Sequence, residues 1–202
     1  MEIHKALAQI QEIHGHLARS EVYRGYRSVP MAFTGMVGLM ASAAQPWIVP
    51  QDSPAAFVRY WVTICVANIL VITVDMIYDY HMHLEPRDRR MTRLMVGQFL
   101  PCLVAGAVLA WVLGLSHSTD QVALLPGLWA ILFSLGAFAS RPYLPRGVGW
   151  VALFYLVSGC VLLCLAEGPA SLAPWSMGAS FGLGQLFLAL VLYWNLERNH
   201  HG

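Results

Sequence analysis

The sequence predicts an all-α, polytopic membrane protein: a six-transmembrane-helix bundle preceded by an N-terminal amphipathic helix. Three observations carry that reading. The 202 residues are 57% hydrophobic and only 11% charged. The few charges are clustered, which leaves apolar runs long enough to cross a hydrocarbon core of about 30 Å. All but one of the twelve lysines and arginines fall near the chain ends or in alternate connections between those runs.

The elements follow in chain order. Residues 1–28 form an interfacial segment: Ile3, Leu7, Ile10 and Leu17 recur at helical spacing, with Lys5, Gln9, Glu12, His16 and Arg19 between them. Such a segment lies on a membrane or on a partner. Tyr23 and Tyr26 alternate with Arg24 and Arg27, which suits lipid headgroups. The transmembrane domain occupies residues 29–196, and 197–202 are a short tail.

Span 1 covers about Val29–Val49, with a small-residue face at Gly35 and Gly38 and a Gln45-Pro46-Trp47 close. Span 2 runs from about Phe57 to Tyr80. The stretch 85–93, EPRDRRMTR, reads as a basic loop. Span 3 covers about Leu94–Leu115, with Gly106 and Ala110 four apart. Span 4 covers about Val122–Ser140 and stops at Arg141-Pro142. Span 5 is Gly147–Ala166, and span 6 is Trp175–Trp194, with Gly178 and Gly182 four apart. Small residues at that spacing let helices approach closely in lipid.

A sparse internal echo links the halves. Pro30 and Pro46 match Pro126 and Pro142 in spacing, Trp61 matches Trp150, and Gln98 matches Gln185. With three spans per half, the second copy would be inverted, an architecture of transporters and channels.

Six spans put both termini on one side. Only Arg59 among the basic residues falls on the other, so the termini are expected in the cytoplasm and the protein in the plasma (inner) membrane of a bacterial-type cell. The four cysteines all fall within spans, Cys160 and Cys164 on one face, and read as small apolar packing residues. The net charge of +1 gives no basis for nucleic-acid binding. No nucleophile elbow, phosphate loop, HExxH or Cys-x-x-Cys is present, so catalysis has no recognisable motif.

The chemistry concentrates in NILVITVDMIYDYHMHLE, residues 68–85, where ionisable groups enter an apolar span. At about 100° per residue, Asn68, Asp75 and Asp79 fall within roughly 40° of each other, with Ile72 and His83 at the edge of that stripe. Pro86 disfavours helix at Glu85, so the helix ends near there. From Phe57 it is then about 28 residues, or roughly 42 Å, longer than the core it crosses. Asp79 and His83 therefore stand outside the core, and Asp75 lies less than two turns inside it.

An acid at that depth is a functional hypothesis by default. The leading expectation is binding or translocation of a small solute or ion through Asn68, Asp75 and Asp79, with Gln98 and Gln185 lining the same cavity. The second is a non-catalytic membrane subunit that docks a cytoplasmic or membrane partner, or a second copy, through residues 1–27 and 85–93. The third is an intramembrane metal-dependent enzyme, in which Asp75, Asp79 and His83 hold Mn, Fe or Zn as a divalent cofactor. The plainest reading of the two acids is pairing with neighbours such as Arg24, Arg27 or Tyr78.

Overall fold

The computed structural model describes residues 28–50, 53–82, 86–115, 118–145, 147–167 and 172–197. The N-terminal amphipathic segment lies outside the described residues, apart from Ser28. Among the described residues the chain is helical throughout, with no strand. The helices are α1 (Ser28–Ile48), α2 (Pro54–Met82), α3 (Pro86–Gly114), α4 (Thr119–Tyr143), α5 (Val148–Cys164) and α6 (Pro174–Asn195). Four are long and apolar enough to cross a membrane: α2, α3 from Arg89 onward, α4 and α6. The apolar α5 has 17 residues, and α1 has 21.

Proline sets most of the ends, because its fixed φ and missing N–H suit a first helical turn and break a later one. Pro54, Pro86 and Pro174 each open a helix. The α-helical run of α4 is interrupted at Leu124, just ahead of Pro126, and Pro142 lies in the 3₁₀ turn that ends it. The basic stretch differs from the expected loop. Helix α3 begins at Pro86, so Arg89, Arg90 and Arg93 ride on its first turns. A proline at the first position costs the helix nothing, since that N–H has no intrahelical partner anyway.

Each helix packs on the next in chain order, and α6 closes back onto α1. The tightest seams are made by glycine. A Cβ on Gly35 would stand 2.9 Å from the Leu186 nitrogen and 3.0 Å from the Gly182 carbonyl oxygen, so α1 and α6 meet backbone to backbone. Gly127 of α4 and Gly159 of α5 are reciprocal: a Cβ on either would lie 2.9 Å from the other's carbonyl oxygen. Without a hydrophobic drive between helices in lipid, such close contact is what holds a bundle together.

Two cores result. One joins Phe57, Val58 and Trp61 of α2 with Ala41, Ala110, Val122, Leu125 and Met177. The other gathers Met31, Ala130, Val148, Val151, Tyr155 and Leu188. Burial is uneven: half of the apolar window of α4 and of α6 is buried, against 6% for α2 and for α3.

One expectation changes here, and a second gains no support. Cys65, Cys160 and Cys164 are exposed and Cys102 is half-buried, all as free thiols, so they do not fill the core. The anchors of the internal echo sit in unlike surroundings as well. Trp61 is buried and Trp150 is 68% exposed, while Gln185 is half-buried and Gln98 exposed.

Candidate functional site

Helix α2 is apolar nearly all round, so its polar residues and its packing mark which way it faces. Its first two turns are fixed at the Trp47 end of the bundle. The Trp61 indole N–H donates to Gln45 Oε1 at 2.9 Å, and Gln45 Nε2 donates to the Leu172 carbonyl at 2.9 Å. The Tyr60 hydroxyl donates to the Ala41 carbonyl, and Ser42 to the Pro174 carbonyl. Three helices and one connection are thereby tied where Phe57, Val58 and Trp61 are buried.

Beyond Trp61, α2 buries only Asp79 fully. Asn68, Ile72 and Asp75 are half-buried, whereas Val66, Leu70, Val74 and Ile77 are exposed. The less exposed positions 61, 68, 72, 75 and 79 share one face, so the polar stripe faces the bundle. Ile72 packs against the core that contains Tyr155. Both Asp75 and Asp79 interact with other groups.

The helix end is fixed by its own side chains. His81 Nδ1 sits 3.0 Å from the Ile77 carbonyl, and the Arg89 guanidinium lies 5.2 Å from the centre of the Tyr80 ring, joining α2 to α3. His83 of the expected metal set lies outside the described residues. Among the described residues, no three His, Cys, Asp or Glu side chains group closely enough to hold a metal ion.

The expected site residues therefore separate. Asn68, Asp75 and Asp79 come together on one face. Gln98 is exposed on α3, off the face formed by Thr92, Met95 and Phe99. Gln185 turns inward on α6, beside Tyr155.

No sequence motif marks Tyr155. It is fully buried, and its ring meets Phe133 at 4.4 Å, Phe181 at 5.5 Å and Phe154 at 5.8 Å between centroids. Gly184 makes room for it: a Cβ there would stand 2.5 Å from the hydroxyl. The Gln185 amide lies beside that hydroxyl. Tyr155 Oη and Gln185 Oε1 are both buried and face each other, the phenol as donor and the amide oxygen as acceptor. The available signal was position. Tyrosine in spans concentrates at the interfaces, and Tyr155 sits in the interior of an apolar helix.

Close to Tyr155, α6 widens into a π turn at Gly178–Gly182, which includes Phe181. Single π turns inside α-helices are frequent at functional sites.

These features define an all-helical protein with helices fit for a multi-pass membrane topology and an acidic stripe on one of them. No protein-family model, curated protein or solved structure matches the chain.

Proposed function

We propose that this chain is a six-span plasma-membrane protein that binds or translocates a small solute or ion through the stripe Asn68, Asp75 and Asp79, on the cytoplasmic half of α2. One observation carries the reading: Asp75 is half-buried, not sealed, on the same face as a buried acid. An acid kept only for structure would gain by complete enclosure with its partners, because a carboxylate in hydrocarbon costs several kcal/mol by insertion scales. The contrast along α2 supports the same idea. Its Trp47 end is bonded shut, while its Arg89 half is loosely covered.

The expected result for Asp75→Asn is loss of solute binding or uptake by the protein in proteoliposomes, with the fold intact. Normal uptake of every ion and solute bound by the wild type, together with unchanged stability, would reject the site. Under the metal-enzyme reading the same variant loses bound metal by elemental analysis.

The arginines orient this account. Both termini and the α2–α3 connection belong to the cytoplasm, since Arg59 alone among the basic residues lies on the other side. Cysteines placed at 116 or 170 should react with an impermeant thiol reagent in intact cells, and a cysteine at 84 should not. Labelling at 84 would reverse the orientation.

The wide exposure of α2 and α3 favours a second reading, in which they form the face of a membrane subunit docked to another protein. Asp75→Asn would then change stability alone.

A further inference from the structure

Helix α3 turns one side to the bundle and leaves the other uncovered. Phe99 and Cys102 pack on Gly136 of α4, and the Gly106 carbonyl accepts from the Trp129 indole N–H at 3.0 Å. On the opposite side Gly97, Pro101, Val104, Val108 and Trp111 are exposed, all within about 40° of Gly97 around the helix.

Two polar groups stand on that side. Pro101 lies inside α3 and has no N–H, so the Gly97 carbonyl four residues earlier loses its helical donor. The chain stays α-helical there, with no 3₁₀ or π turn to supply another. A Cβ on Gly97 would meet nothing within 4 Å, so no neighbouring helix covers it. Gln98, the next residue, is exposed as well. It lies five residues, about 7.5 Å, beyond Arg93, the last charge of α3. That depth belongs to the apolar span. A carbonyl without a donor in hydrocarbon costs several kcal/mol, and a backbone group cannot swing out to the headgroups.

We propose that this face of α3 pairs with the same face of a second copy, and that each copy's Gln98 amide donates to the other's Gly97 carbonyl. The pattern is self-complementary. Copies inserted in one orientation are related by a two-fold axis along the membrane normal, so one donor beside one acceptor becomes two bonds. Gly97 has no side chain, which lets the two backbones approach at that level, and Pro101, Val104 and Val108 continue the contact. Lipid chains carry no donor and leave the carbonyl unmatched. The pairing does not depend on the α2 stripe.

The test is single-molecule photobleaching of the full chain, one dye per copy, in phosphatidylethanolamine–phosphatidylglycerol liposomes over a range of protein-to-lipid ratios. Two-step bleaching should rise with protein density. Gln98→Leu keeps the volume and removes the donor. Pro101→Ala returns an N–H to the Gly97 carbonyl, and it should stabilise the helix while weakening the pair. Each should raise the density at half-dimerisation about tenfold, the loss of two interhelical bonds. Gly97→Leu should leave a single copy as stable as the wild type in dilute micelles and prevent pairing in liposomes. Asp75→Asn should pair like the wild type, which separates this result from the fate of the stripe. Single-step bleaching at every density would leave lipid or a different protein on this face and overturns the proposal. So does a half-dimerisation density unmoved by Gln98→Leu or by Pro101→Ala. Copper-phenanthroline cross-linking locates the face. With the native cysteines replaced by serine, Val104→Cys should give dimers and Leu190→Cys, exposed on α6, should not. The reverse also overturns it.

Discussion

Trp61→Ala should destabilise the folded protein by about 3 kcal/mol, the low end of the range for a buried tryptophan. The low end applies because lipid shields an unfolded span from water, so the loss is packing and hydrogen bonding and not transfer from water. Trp61 is 3% exposed, contacts Phe57 and Tyr60 ring to ring, and donates to Gln45. Trp61→Phe separates the two contributions. It retains most of the packing but leaves Gln45 Oε1 unpaired, a cost of about 1–3 kcal/mol when buried. Denaturant titration in micelles, followed by circular dichroism, measures both. Equal stability of Trp61→Phe and wild type would mean that the Gln45 bond contributes nothing.

Gly159→Leu should cost still more, about 3 kcal/mol or above, because overpacking here has no outlet. The added Cβ would meet the Gly127 carbonyl at 2.9 Å and the Ile131 nitrogen at 3.0 Å, both backbone atoms that cannot rotate away. Helices α4 and α5 would have to separate along the most intimate pairing between successive helices. The matched control is Gly97→Leu on α3, where a Cβ meets nothing within 4 Å. That change should stay within about 0.5 kcal/mol, like other exposed substitutions. Melting temperature and the monodisperse fraction on gel filtration report both, and a tolerant Gly159 would place the α4–α5 seam elsewhere.

Much of this was legible in the sequence because it is local. Apolar run length placed some helix starts to within a few residues, as at Pro54 and Pro174, but not at Pro86. The spacing of Gly35, Gly38, Gly178 and Gly182 identified the two faces that do meet. The helical period alone put Asn68, Asp75 and Asp79 on one face, and that is the face turned to the bundle. What escaped is non-local. Gly127 and Gly159 lie 32 residues apart and signal nothing until α4 and α5 are docked. The bond from Trp61 to Gln45 depends on how α1 crosses α2, and no spacing encodes that crossing. Gln98 and Gln185 look alike in sequence, yet one is exposed and the other faces Tyr155. The basic stretch misled because its charges suggested a loop, while Pro86 permitted a helix start.

The central claim is that the α2 stripe is a reachable polar site, and reactivity at position 75 tests it most directly. The variant carries Asp75→Cys with the four native cysteines replaced by serine, and it is treated with a charged, membrane-impermeant methanethiosulfonate applied at the Arg89 end. Leu70→Cys, on the exposed apolar side of the same helix, serves as the lipid-facing control. The account predicts rapid modification at 75, slowed by the bound solute, and no modification at 70. A folded protein that stays unmodified at 75 would contradict it.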